Sequence, residues 1–242
     1  MTIDLNADLG EGVGNDAQLM PFLSSCNIAC GVHAGGTDTI ADTIGLAILH
    51  NVKIGAHPSF PDRNNFGRKE MELPQQELVA TIIDQVELVK NTAENLGTQL
   101  HHVKPHGALY NMAAHRADIA FAIVSAMHEF KSTALYVPFG SVIAALAKRE
   151  GITICYEAFA DRNYNDDLTL VSRKNENAML HDPTVIAAHA IRMIRERKVK
   201  TINGNFVPIE AETICIHGDN PHAVEIAQQL HSKFGEVAIT IG

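Results

Sequence analysis

Seven short apolar runs, six of them ending in ionisable residues, constrain the fold of this chain more than any other feature. The runs are TIDLNA (2–7), CNIACG (26–31), VKIGA (52–56), LHHVK (100–104), ALYVP (134–138), TICYEA (153–158) and TICIH (213–217). All are short, and all are β-branched or bounded by Gly and Pro, which predicts strands. Between them, Ile40, Ile44, Ala47 and Ile48 make a helical stripe, as do Leu78, Ile82, Val86, Val89 and Ala93, and then Ala223, Ile226, Ala227, Leu230 and Phe234. Strand alternating with helix implies parallel strands joined by right-handed crossovers, in an open doubly wound sheet or a closed barrel.

The polar residues favour the barrel. The first run and its sequel carry Asp4, Asn6, Asp8 and Glu11; the next two end on His33 and His57. The fourth adds Lys104 and His106, the sixth Glu157, Asp161 and Arg162, and the last His217 and Asp219. A barrel builds its site from the carboxyl ends of several strands at once, whereas an open sheet gathers such groups at one switch point. Residues two apart on a strand share a face, so His102, Lys104 and His106 point one way, as do Asp4, Asn6 and Asp8. The expectation is an α/β fold, a single domain over 1–242, built as one (β/α) barrel of about seven parallel strands. The ALYVP run contributes nothing ionisable to this mouth.

At 242 residues the chain can bury one substantial core, and it has no low-complexity stretch, charge block or fixed-period repeat to mark a linker. A net charge of -9 argues against nucleic acid and anionic membrane as partners and points to a small molecule. No apolar run reaches transmembrane length and no basic segment precedes an apolar one near Met1, so a cytoplasmic location is expected. Cys26, Cys30, Cys155 and Cys215 lack the paired spacing of a zinc site and read as buried reduced thiols.

Isolated histidines on predicted helices, His50, His128, His189, His222 and His231, read as surface or packing residues. Asp4, deepest on its strand, is as suited to pairing with a base such as Lys104 as to chemistry. The stretch GEGVGN (10–15) could cradle a phosphate, yet it lacks the GxxxxGK[ST] order and reads equally well as a turn. Residues 57–71 form a long polar loop with Phe60, Phe66 and three basic residues, expected to close over a ligand and to be mobile without it.

Taken together, DLNADLGEG, NIACGVHAGG, IGAHPSFPDRNNFGR, HHVKPHGALYN, EAFADRNY and ICIHGD resemble the LamB/YcsF family, the A subunit of the bacterial ATP-dependent 5-oxoprolinase. The resemblance implies a barrel similar to the glycosidase and polysaccharide-deacetylase type. It implies ATP-coupled opening of the 5-oxo-L-proline lactam to L-glutamate, with two partner subunits and ATP with magnesium as cofactor. Gly36 stands where the family often has Asp, and Asp167 and Ser172 where Gly and Pro are usual, which leaves the turn before Arg173 open.

Such a reaction needs cations for phosphate and carboxylate, a base for water and an acid for the ring nitrogen. Lys104, Arg162 and Arg68 are the candidate cations; Asp8, Glu157, Asp161 and Asp219 the candidate bases; His106 and His217 the candidate acids. Asn6, Glu11, His33 and His57 are assigned to substrate or phosphate binding. Asp8, His33 and His57 could alternatively ligate a metal, although magnesium arriving with a nucleotide prefers oxygen, and no tightly bound transition metal is expected. Two other readings stay open: a metal-dependent deacetylase or amidohydrolase on the same barrel, and a non-catalytic ligand-binding regulatory subunit.

Overall fold

The computed structural model describes residues 1–242, and all seven predicted strands form in it. They are β1 (Thr2–Leu9), β2 (Ser25–Ala29), β3 (Lys53–His57), β4 (Leu100–Val103), β5 (Ala134–Pro138), β6 (Ile154–Phe159) and β9 (Thr213–Ile216). Neighbours in the order β1-β2-β3-β4-β5-β6-β9 pair in parallel, and β9 pairs back onto β1 through Asp4↔Thr213 and Asn6↔Cys215. The sheet is therefore a closed seven-stranded parallel barrel. β10 (Thr240–Ile241) adds two residues to the foot of β1. Sequence periodicity did not reveal the antiparallel pair β7 (Lys198–Lys200) and β8 (Phe206–Pro208), since strands of three residues are too short to show a period.

Around the barrel lie α1 (Asp16–Leu19), α2 (Thr37–His50), α3 (Gln75–Asn95), α4 (Gly107–Ala113), α5 (Ala117–Met127), α6 (Val142–Arg149), α7 (Pro183–Glu196) and α8 (Ala223–Glu236). Each predicted stripe faces the sheet, except that Ile48, in the last turn of α2, is 42 % exposed. Ser141 Oγ caps α6 by accepting from Ala144 N, and Asp182 caps α7 ahead of Pro183. No helix is long and apolar enough to cross a membrane.

The period of two along the strands sorts apolar from polar. Ile3, Leu5, Ala7 and Leu9 of β1, Cys26 and Ile28 of β2, and Ile214 and Ile216 of β9 are buried in a core of 58 residues. Each fully buried Leu or Ile there is worth roughly 1.5–3 kcal/mol. The alternate residues point into the barrel, and most of them are polar. At Gly55 a Cβ would overlap the His102 ring, so only glycine lets β3 pass that imidazole.

Candidate functional site

The barrel interior is a column of hydrogen bonds that begins at Asp4. Its carboxylate accepts from Ser24 Oγ (2.7 Å), Ser25 Oγ (2.6 Å), Thr213 Oγ1 (2.5 Å) and Tyr136 Oη (3.2 Å). The expected pairing of Asp4 with Lys104 is thus corrected: four hydroxyls satisfy this carboxylate, and Lys104 lies higher in the barrel. Tyr136, from the strand that carries nothing ionisable, also stacks on His102 with ring centroids 4.0 Å apart. One level up, Asn6 Nδ2 donates to Thr213 Oγ1 (2.7 Å) and Glu157 Oε1 (3.1 Å), and Asn27 Nδ2 donates to Asn6 Oδ1 (2.7 Å) and Asp8 Oδ1 (2.9 Å). Asn6 was expected to bind substrate. It is instead fully enclosed by this network.

Above this level sits Lys104, 1 % exposed, whose Nζ lies 2.8 Å from Asp8 Oδ1, 3.1 Å from Glu157 Oε1 and 2.9 Å from Cys215 Sγ. Burial works against its charge, and Asp8 and Glu157 more than offset this, so Lys104 is a cation with its pKa well above the usual value. Burial pushes the Cys215 thiol up, so that residue is a neutral acceptor beside the ammonium. For Asp8, burial is outweighed by its charged neighbours, the Lys104 ammonium at 2.8 Å among them, which hold its carboxyl well below the usual range.

Three histidines cover the other side of Asp8. His57 Nδ1 donates to the carbonyl of Lys104 (2.6 Å), and His106 Nε2 to that of Phe66 (2.9 Å). His57 Nε2 and His106 Nδ1 face each other at 2.8 Å. His33 stacks on His106 with centroids 4.0 Å apart, and its Nδ1 meets Ser59 Oγ at 3.0 Å. Burial pulls His33 down to about 3 and His106 well below the ordinary histidine value. Glu11, on the loop after β1, closes the group: its Oε1 is 3.4 Å from His33 Nε2 and 3.5 Å from His106 Nδ1. Asp8, Glu11, His57 and His106 each offer a ligand atom within 4.8 Å of one another, so these four could hold a cation. The set inferred from sequence, Asp8, His33 and His57, is changed: His106 and Glu11 enter, and His33 Nε2 abuts Glu11.

The 57–71 loop is tied down at several points. Phe60 is fully buried in the core rather than offered to a ligand, and Phe66 packs edge-on to His33 and His106. Arg63 donates to the carbonyls of Gly31 and Gly35 (2.8 and 2.9 Å). The Gly67 carbonyl accepts from Ala108 N at the start of α4, where a Cβ on Gly107 would overlap it. The GEGVGN stretch is a turn with Gly10, Gly12 and Gly14 at positive φ, fastened by Gly10 N donating to Asp16 Oδ2.

On the far side of Lys104 opens a cavity of about 1050 Å³. His217 lies on its wall, with Nδ1 donating to Asp161 Oδ1 (2.8 Å) and the ring stacked on Phe159. Burial would raise the Asp161 carboxyl, but His217 and Asn220 outweigh it and hold it below its usual value. Arg68, Lys69, Arg173 and Lys174 stand around the opening. Arg68 pairs with Asp219, and Arg173 approaches the same carboxylate at 3.5 Å, so Asp219 positions two arginines. The turn before Arg173 is closed by Asp167, whose Oδ1 accepts from Thr169 N and Oγ1. Arg162, expected to bind substrate, lines the cavity but is 4 % exposed, and its Nη2 and Nε donate to the carbonyls of Val171 (2.6 Å) and Ala178 (3.4 Å). It secures the loop that carries Arg173.

The structure thus gathers Asp8, His57, Lys104, His106, Glu157 and His217 around one opening, with Glu11, His33 and Asp161 behind it. Three participants escaped sequence reasoning. Cys215 reads as inert packing, Asn27 as one polar residue in an apolar run, and Tyr110 as part of a helix. The Tyr110 hydroxyl is buried in the cavity wall with no hydrogen-bond partner, as is Glu157 Oε2. Parity with His217 on the same run could have revealed Cys215, whereas Asn27 meets Asp8 only through the register of β1 with β2.

Residues 3–242 match the model of the LamB/YcsF family. The lactam utilization protein from Thermus thermophilus is 37% identical, with a TM-score of 0.93, covering 100% of this chain and 99% of that one. Two deacetylases share the barrel alone. T48 deacetylase is 14% identical with a TM-score of 0.53, covering 100% of this chain and 87% of its own. A variant of a peptidoglycan deacetylase from Bacillus subtilis is 13% identical with a TM-score of 0.50, covering 99% and 86%.

Proposed function

Because the chain belongs to the LamB/YcsF family, we propose that it is the lactam-opening subunit of an ATP-dependent 5-oxoprolinase, converting 5-oxo-L-proline to L-glutamate together with two partner subunits. Similarity to a protein of lactam utilization supports the lactam as substrate class. The observation that carries the reading is the cavity itself. In a chain of net charge -9, Arg68, Lys69, Arg173 and Lys174 surround an opening onto which Lys104 and His217 face, with Asp161 behind His217. An anionic substrate with a bond to be cut by proton transfer fits that arrangement.

A lactam is a poor electrophile, and phosphorylation of its amide oxygen by ATP makes the ring carbon attackable. The chain lacks a GxxxxGK[ST] loop, so this reading gives the nucleotide and its magnesium to a partner subunit. Rim arginines would hold the substrate carboxylate. Lys104 Nζ, and the Tyr110 hydroxyl that lacks a partner, are donors for the activated oxygen. With Nδ1–H held by Asp161, His217 presents Nε2 as the base that takes a proton from water. Water adds to the ring carbon, the C–N bond breaks with its electron pair on nitrogen, and His217 returns the proton there. A second water releases phosphate from the resulting acyl phosphate.

The test is glutamate release from 5-oxoproline, with and without ATP, by this chain alone and with the subunits encoded beside it. Release only with ATP and partners is the expected result. Release by the chain alone without ATP would replace the reading with a simple amidohydrolase, and no release in any combination with a bound ligand would make this a regulatory subunit.

A further inference from the structure

We propose that the histidine side of the barrel mouth binds one divalent first-row transition ion, with Asp8, Glu11, His57 and His106 as its ligands and His33 adjoining. The argument is a count of protons. A main-chain carbonyl only accepts, so His57 carries its proton on Nδ1, facing the carbonyl of Lys104, and His106 carries its own on Nε2, facing that of Phe66. The nitrogens left over, His57 Nε2 and His106 Nδ1, are then lone pairs aimed at each other across 2.8 Å. Ser59 Oγ spends its one proton on the carbonyl of Phe60 and so accepts from His33 Nδ1, which makes His33 Nε2 a third lone pair. With Glu11 ionised, Asp8 Oδ2 and Glu11 Oε1 complete a ring of five acceptors around one point, and with no cation beside it burial and Asp8 push the Glu11 carboxyl well above its usual value.

One added proton does not resolve this. Placed between His57 and His106 it creates a buried imidazolium, and Glu11 Oε1 and His33 Nε2, both buried, still have no hydrogen-bond partner. A proton on Glu11 would have to reach His33 Nε2 across 3.4 Å, beyond an ordinary O–H···N bond. A divalent ion satisfies four of these lone pairs together, those of Asp8, Glu11, His57 and His106, and leaves only His33 Nε2 beside it. Ligands held at about 2.1 Å in a tetrahedral arrangement lie about 3.4 Å from one another. That matches His57 Nε2 to Asp8 Oδ2 (3.4 Å) and His106 Nδ1 to Glu11 Oε1 (3.5 Å). His57 and His106 must part by about 0.6 Å, and the pairs that reach toward 4.8 Å must close in around the ion.

The surroundings orient the ligands as metal sites require. Carbonyls stand behind His57 and His106, and Lys104 and Asn27 hold Asp8 Oδ1 so that Oδ2 is free to face the ion. Asp8, His57 and His106 also line the large cavity, which gives an ion a way in. Two imidazoles with two carboxylates suit zinc, manganese or iron better than magnesium, which takes oxygen ligands. The inference departs from the sequence-based expectation, which is of no tightly bound transition metal and of Asp8, His33 and His57 as the ligands if one were present, and it is independent of the reaction proposed above.

The test reads metal content without turnover. Wild-type protein is stripped with a chelator, dialysed against micromolar zinc, manganese or magnesium, and analysed by elemental analysis. The expected result is close to one zinc or manganese per chain and no magnesium, a visible absorption spectrum of four- or five-coordinate cobalt when cobalt(II) is used, and faster proteolysis between residues 58 and 74 in the stripped protein. His57→Gln and His106→Gln should each weaken binding at least tenfold while Lys174→Ala does not. Wild-type protein that takes up neither zinc nor manganese overturns the proposal whatever the variants do, as does full retention of metal by folded His57→Gln and His106→Gln.

Discussion

The base and the mouth of this barrel are built from the same kinds of side chain and have opposite hydrogen-bond status. At the base, Asp4, Asn6, Asn27, His102 and Thr213 are linked so that each carboxylate and amide meets donors and acceptors of its own strands. At the mouth, Glu11 Oε1, His33 Nε2, Glu157 Oε2 and Tyr110 Oη are buried without partners. A satisfied buried network fixes structure, whereas unsatisfied buried atoms are a cost that a bound ligand can recover. The base therefore reads as scaffold and the mouth as site, only two residues further along each strand.

The boundary runs through Lys104, and its removal should have the largest effect. Lys104→Ala is expected to lower turnover at least a thousandfold, and it also leaves Asp8 and Glu157 facing each other without a cation, which costs roughly 3–5 kcal/mol. The folded fraction should fall with it, because Lys104 lies within the barrel. Urea unfolding beside the glutamate assay checks both, and a variant of wild-type stability would move Lys104 out of the scaffold.

Asp4→Ala breaks the comparison from below. Four hydroxyls lose their acceptor, so a loss of about 3 kcal/mol is expected, or roughly 6–12 °C in Tm for a chain of this size. Turnover per folded molecule should stay within a fewfold of wild type. A thermal melt unchanged by the substitution would show that the base is not a stabilising network.

His189, on α7 behind Arg162 and Asp161, gives a smaller effect that depends on pH. Burial pulls it down to about 4, and its Nε2 has no partner. The folded state keeps this ring neutral while the unfolded chain protonates it near 6.5, so the unfolded state binds more protons between those values. Stability is then full above pH 6.5 and declines toward pH 4, by on the order of 1 kcal/mol per unit. Urea midpoints across that range test it, and His189→Gln should flatten this part of the profile.

Tyr110→Phe should have the smallest effect on the fold. Its hydroxyl makes no hydrogen bond of ordinary geometry and only adjoins Glu157, so stability should change by less than about 1 kcal/mol, while turnover falls about tenfold if the hydroxyl meets the substrate. Unchanged turnover would remove Tyr110 from the site and leave Glu157 Oε2 as the only orphan on that wall.

The sequence by itself determined the barrel and the direction of its mouth. Alternation with a period of two placed Asp8, Lys104, Glu157 and His217 on one side of their strands, and three helical stripes fixed what the other side packs against. Those are local properties, since each strand's parity follows from its own residues. It could not determine which of these groups would touch. Asp4 meets Tyr136 from 132 residues away, and His217 meets Asp161 rather than its near neighbour Asp219. Those pairings depend on strand register and on the height of each residue within the barrel. The tertiary structure alone decided that Arg162 would serve backbone carbonyls, that Phe60 would join the core, and that His106 and Glu11 would close around Asp8 and His57. The physical reason is that a closed barrel brings distant strand ends together at separations set by register and stagger, which no single strand encodes.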